Sequence, residues 1–474
     1  MFDAMSISSR RMFLSGSVIG AGSLALAQML AADDSLGTQS SQQTDRKRPL
    51  PSRAPRATNV ICLFQHGGPS QVDLFDPKPE LSRLNGKAFE GDLEIHFVNR
   101  NKKILLGSPF QFHQAGQSGM ELSELLPHTA SIADKITLIR SMKTESVDHE
   151  AALRVIHAGK IFPGRPSWAS WVLYGLGTMN QELPGYIVLS DPKGVPVDGP
   201  HNWSSGFLPA TYQGVRFRSE GSPVADLDMP ADQSAQARLR QLECLKVLNE
   251  MHLRNHPGDE ELAARITNFE LAAKMQTSVP NALDLSEETQ ETHSLYGTDR
   301  QETADYAKRC LMARRLVERG VRFVQIFLSG QPWDTHNKNA ENLRKLTART
   351  DQPSAALVKD LERRGLLDST IVIWAGEFGR LPISEGSDGR DHNRHAFSLW
   401  IAGGGFKQGY VHGQTDEIGY SAVEDIVPVG NLHATLLHAL GLDHTRLSYP
   451  NDGREDSLTD HLVTGARVIP ELLS

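Results

Sequence analysis

The sequence predicts an α/β protein: a doubly wound, mostly parallel sheet flanked by helices, with a helical insertion. Three observations predict it. Short runs rich in Val, Ile and Phe occur at 59–65, 321–329, 370–375 and 397–402, with helical periodicity around them. That is the pattern of strands buried on both faces and laid parallel. Strand and helix alternate at both ends of the chain, with long charged helical periodicity between them. Finally, Asp, Glu and His cluster at the ends of these runs. Open α/β sheets build their sites beyond the carboxyl ends of the strands.

The elements follow in order. Residues 1–32 read as a twin-arginine export signal. Arg10-Arg11 precede a mild apolar stretch at 18–30, and Ala25-Leu26-Ala27 offers a cleavage site, with 31–32 as an alternative. No cysteine lies nearby, so no lipid anchor is expected. Residues 33–57 are polar and aperiodic, a disordered spacer. The domain is expected to fill 58–474. Its first strand, 59–65, runs into a Gly-Pro turn, and 76–120 reads as loops. A helix is expected at 122–133, a strand at 136–140, a helix at 148–158 ended by Gly159, and a strand at 186–190. Residues 192–227 read as loops. Helical periodicity runs through 231–275, making 180–300 the insertion or cap. A helix at 303–319 ends at Gly320. Then come strand 321–329, helix 338–364, strands 370–375 and 397–402, and helix 431–440.

Composition excludes several classes. A formal net charge of −8 over 474 residues argues against nucleic acid as a partner. No run approaches the roughly 20 apolar residues of a lasting membrane span. The three cysteines, Cys62, Cys244 and Cys310, read as buried thiols, and there is no Cys-x-x-Cys.

The polar clusters carry the chemistry. His66-Gly-Gly-Pro-Ser-Gln-Val-Asp73 follows the first strand, Trp333-Asp-Thr-His336 the second run, and Gly376-Glu-Phe-Gly-Arg380 the third. Asp388-Gly-Arg-Asp-His-Asn-Arg-His395 precedes the fourth and can join the others from its loop. Mixed carboxylate and imidazole groups on one edge are the composition of a divalent-metal site. The candidate ligands are His66, Asp73, Asp334, His336, Glu377, Asp391, His392 and His395. Zinc is the expected metal, with calcium, manganese and magnesium as alternatives. Thr144 or Ser146, where a strand gives way to a helix, is the candidate nucleophile. Arg390 or Arg394 is the candidate binder of phosphate or sulfate oxygens.

The order of these motifs resembles the alkaline phosphatase and sulfatase superfamily, in which a metal-binding residue ends the first strand and a hydroxyl or thiol nucleophile opens a helix. The segment Thr144–His149 is similar to the nucleophile segment of its phosphodiesterase branch. More closely, the chain resembles a family of exported planctomycete-type proteins known as domain of unknown function 1501. The shared motifs are the twin-arginine signal, Gly-Gly-Pro-Ser-Gln-Val-Asp-Leu-Phe-Asp-Pro-Lys, Trp-Asp-Thr-His, Gly-Glu-Phe-Gly-Arg, Gly-Arg-Asp-His-Asn and Gly-Gly-Gly-Phe. Departures are visible. His66 stands where the superfamily places Asp, Glu377-Phe378 where it places Asp-His, and no Cys-x-Pro-x-Arg segment exists. The resemblance implies an exported, metal-dependent hydrolase of phosphate or sulfate esters, with a small molecule or polysaccharide as substrate and the twin-arginine translocase as export partner. A protein of a different class, keeping the fold for binding or assembly at the cell envelope, is the alternative.

Overall fold

The apolar runs become a nine-stranded sheet in a computed structural model that describes residues 52–95, 103–218, 223–224 and 235–474. The expected signal and residues 33–51 of the expected spacer lie outside the described residues. In chain order the strands are β1 (Asn59–Phe64), β2 (Ile136–Lys143), β3 (Tyr186–Ser190), β4 (Val215–Arg218), β5 (Phe323–Phe327), β6 (Thr370–Ala375), β7 (Phe397–Ala402), β8 (Tyr410–His412) and β9 (Val427–Pro428). Across the sheet the order is β8-β2-β7-β6-β1-β5-β3-β4, and β9 also pairs with β2. β1 lies parallel between β5 and β6, with Val60 opposite Phe323 and Ile371.

Every side chain of β1 is buried. The pleat sends alternate residues to opposite faces. Ile61 and Leu63 join one core; Val60, Cys62 and Phe64 join the other. Helices α1 (His149–Ala158) and α2 (Trp168–Leu176) cover the second core. The long pair α3 (Ala235–Asn255) and α4 (Glu260–Leu283) follows. Then come α5 (Gln290–Tyr296), α6 (Ala304–Glu318), α7 (Asn339–Arg363) and α8 (Val429–Ala439). α4, α6 and α7 cover the first core, and α8 joins α1 and α2 on the second. A smaller cluster of Val72, Leu81, Ile95, Leu105, Leu381, Ile383 and Ile418 holds the loops above the sheet.

Four expectations need correcting. The fourth apolar run, β7, is antiparallel to both β6 and β2. Its start therefore lies at the edge where the parallel strands end, which is how the 388–395 loop reaches them. The helix expected at 122–133 is a strand, Met120–Ser123, and one helical turn, Pro127–Ala130. Pro127 lacks the N–H that an interior helical residue must donate, so the helix can only begin there. The 231–275 periodicity splits into α3 and α4 at Pro257-Gly258, and Asp259 caps α4 by accepting from the Leu262 N–H at 2.8 Å. Cys62 and Cys310 are buried, but Cys244 is exposed on α3. Among the described residues no helix is long and apolar enough to cross a membrane.

Candidate functional site

The segments after β1 and β5 cross at the carboxyl edge. The Trp333 N–H donates to the His66 carbonyl at 2.9 Å. Gly67 makes the crossing feasible: its φ is 109°, and a Cβ there would lie 2.3 Å from the Asp334 nitrogen. Arg380, fully buried, ties the turn together. It donates to the carbonyls of Gly67 and Gly68, and to Asp334 Oδ1 at 2.7 Å.

Asp334 is the hub. Three imidazoles turn their Nε2 atoms toward its carboxylate. His336 Nε2 lies 2.9 Å from Oδ1, His392 Nε2 3.2 Å from Oδ1, and His149 Nε2 3.4 Å from Oδ2. Each ring is held from its far side by an acceptor. His149 Nδ1 meets Glu377 Oε1 at 2.7 Å, His392 Nδ1 meets the Val147 carbonyl at 2.6 Å, and His336 Nδ1 meets Glu385 Oε2. A carbonyl or an ionised carboxylate can only accept, so each Nδ1 carries the proton in those bonds. His336 and His392 also approach each other, Nε2 to Nε2, at 2.9 Å. The ligand atoms of His149, Asp334 and His392 lie within 4.8 Å of one another, as do those of His336, Asp391 and His392.

The electrostatics follow from this crowding. Burial works against the charge on Asp334, but the surrounding histidines and the Arg380 guanidinium hold it well below the ordinary carboxylate range. Burial also opposes a charge on His149, yet its bonds to Asp334 and Glu377 raise it to about 9. The Asp334 bond pushes His336 up. Burial pushes His392 down.

The donor set fits a divalent cation. Metal-bound histidines characteristically donate their second ring nitrogen to a carboxylate or backbone carbonyl, which fixes ring orientation and tautomer. All three rings here do so. Imidazole nitrogen with carboxylate oxygen suits zinc.

Of the twelve residues singled out from the sequence, Asp334, His336, Asp391 and His392 are brought together. Glu377 stands one step back: its Oε1 accepts from His149 Nδ1 and from the Gly67 N–H at 2.9 Å, while its buried Oε2 has no partner. His66 belongs to neither donor group. It is fully buried against the Phe64 and Phe327 rings, and both of its nitrogens lack partners. Burial, then the nearby His157 and His149, depress its pKa far below the usual value.

The other six stand apart from these groups. Asp73 and Arg390 are both fully buried and spent on each other, Nε to Oδ2 at 2.7 Å and Nη2 to Oδ1 at 3.0 Å. Ser70 and Asn339 donate to Asp73 at 2.6 and 2.9 Å. The Asp73 oxygens and the Arg390 guanidinium are thus committed to partners within the protein. Arg394 forks onto Glu94 with two 3.0 Å bonds, and His395 Nε2 meets the same carboxylate at 2.6 Å. Ser146 Oγ accepts from the Asp148 N–H at 3.0 Å and shapes the turn into α1. Thr144 is buried, and its hydroxyl has no partner.

Three residues escaped the sequence reading. His149 lies in the Thr144–His149 segment, and its place as the first residue of a helix at the sheet's carboxyl edge was a usable signal. Arg380 closes a quoted motif. Glu385 follows no pattern.

The chain is similar to several solved structures. One is a phosphonate monoester hydrolase from Silicibacter pomeroyi, at 11% identity, covering 87% of this chain and 77% of that one, with a TM-score of 0.34. Another is the PsFucS1 sulfatase from Pseudoalteromonas sp., at 12%, 83% and 68%, with a TM-score of 0.34. A third is a protein in the alkaline phosphatase superfamily from Vibrio parahaemolyticus, at 10%, 83% and 69%, with a TM-score of 0.34. No curated protein matches. The pattern of one family spans residues 57–473, and the chain belongs to it: the family described as Protein of unknown function (DUF1501).

Proposed function

We propose that this chain is an exported, divalent-metal-dependent hydrolase of phosphate or sulfate esters, with zinc as the metal. One observation carries the reading: three imidazole Nε2 atoms surround a single carboxylate, and each ring is locked from behind by an oxygen acceptor. Asp334, His336, His392 and His149 would hold the cation, with Asp391 beside them. A divalent cation supplies Lewis-acid polarisation of an ester oxygen and lowers the pKa of an attacking hydroxyl or water. Glu377 orients His149. The buried guanidinium of Arg380 balances Asp334 from the protein side. The 144–149 segment is held against the site by the bond from His392 to the Val147 carbonyl. Of its two hydroxyls, Ser146 is engaged in its turn, so Thr144 is the better nucleophile. The substrate would be a small-molecule or polysaccharide ester beyond the inner membrane.

The second reading is a binding or assembly protein of the envelope that keeps the metal. It is favoured by one observation: Arg390 and Arg394, the candidate anion binders, are committed to Asp73 and Glu94. Elemental analysis of purified protein, followed by aryl phosphate monoesters, diesters and sulfates, separates the two. Hydrolysis that Asp334→Asn abolishes together with metal content supports the enzyme. Bound metal without turnover of any ester supports the binding protein. Protein with no bound metal sinks both.

A further inference from the structure

His336 sits on the loop after β5, where nothing in β5 itself fixes the direction of its ring. The polypeptide at 385–389 does. This segment is a tight hairpin: the Glu385 N–H donates to the Gly389 carbonyl at 2.8 Å, and the Gly389 N–H returns to Glu385 at 3.0 Å. Its base is pinned by the Ser384 N–H on the Ile104 carbonyl at 2.8 Å. Its far arm is laid along the His336 loop. The Arg390 N–H donates to the Thr335 carbonyl at 3.0 Å, and Asp388 Oδ1 accepts from the Lys338 N–H at 3.0 Å. Gly389 touches the His336 backbone so closely that a Cβ would lie 1.8 Å from the His336 carbonyl oxygen. Glu385 then reaches back to His336 Nδ1.

We propose that the 385–389 hairpin is a positioning element for the metal centre: Glu385 sets the tautomer and direction of the His336 ring, and Gly389 lets the hairpin approach closely enough to do it. The inference rests on the metal reading above. Because an ionised carboxylate only accepts, Glu385 keeps the proton on Nδ1 and leaves Nε2 facing Asp334 and His392. The alternative is an ordinary surface ion pair. The two side chains are 23% and 28% exposed, and a pair that open to solvent adds little to stability. The two roles therefore predict different losses.

The probe is zinc alone, with affinity read by competition against a chromophoric chelator and thermal unfolding of the metal-free protein measured alongside. Glu385→Ala should weaken zinc binding by about 10–100-fold, the usual effect of losing a partner behind a ligand. The metal-free unfolding midpoint should stay where it was. Glu385→Gln keeps an acceptor oxygen within reach of Nδ1 and should recover most of the loss. Gly389→Ala should weaken binding too, and if it fails to fold, the Glu385 variants decide. Unchanged affinity in Glu385→Ala overturns the proposal, as does a fall in metal-free stability that matches the loss of affinity, or a Gln variant no better than Ala. If the wild type binds no zinc, or His336→Ala binds it as tightly, the metal reading itself fails instead.

Discussion

At the scale of single residues, the site is an exercise in assigning acceptors. Asp334 gathers three histidines, and each histidine needs an acceptor behind it. The sequence shows Asp334, His336 and His392 through their strand-end motifs. It cannot show that Asp73, equally acidic and equally placed after a strand, faces away. Asp73 is closed by Arg390, a partner 317 positions distant in the chain. Replacing Arg390 by Met is expected to leave the Asp73 carboxylate buried without its ion partner and to destabilise the fold by about 3–5 kcal/mol. Urea unfolding measures this, and a loss under 1 kcal/mol would mean the pair is unimportant to the fold. His149→Ala tests the ligand that the motifs missed. It should lose zinc affinity while folding normally, whereas full zinc retention would leave His149 a mere neighbour of Asp334.

At the scale of elements, placement comes from direction. The strand β7 brings the 388–395 loop to the site because it runs against its neighbours, so its beginning meets their ends. Periodicity reveals that a run is buried but not which way it points, since both directions bury the same alternating faces. The start of α1 carries His149, and its cap decides where that ring stands. Asp148 accepts from the Ala151 N–H at 3.0 Å. Asp148→Ala should cost about 1 kcal/mol as a lost N-cap. It should also weaken zinc binding through the frayed first turn. A thermal shift with no change in zinc affinity would show that the bonds to Glu377 and Val147 hold the segment by themselves.

At the scale of the whole molecule, two buried histidines beneath the sheet couple stability to pH. Burial, then the nearby His433, lowers His157 to about 3; burial lowers His433 to about 4, although its bond to the Ile156 carbonyl works the other way. In the unfolded chain both titrate near 6.5. Between those limits the unfolded state binds more protons, so stability falls as pH falls from about 6.5 to 4 and levels off below about 3. Fully developed, the shifts correspond to losses of roughly 5 kcal/mol for His157 and roughly 3 kcal/mol for His433. Chelator-treated protein, unfolded by urea across this range, should show the slope, and His433→Leu should reduce it. An identical slope in the variant would place the titration elsewhere. The proposed export is also tested on the whole chain. Lys at both Arg10 and Arg11 should keep the protein in the cytoplasm, and fractionation finding it outside would contradict the twin-arginine route.

The sequence alone determined the layer architecture, most strand and helix positions, and the edge where chemistry gathers. Those depend on local pattern: apolar runs, their periods, and polar residues at their ends. Only the tertiary structure decided which carboxylates and histidines meet. That choice rests on pairings between segments hundreds of residues apart, such as Asp334 with His149, Asp73 with Arg390, and Arg394 with Glu94. A buried charge is satisfied by whatever the fold places within about 3 Å of it, and no pattern along the chain encodes that distance.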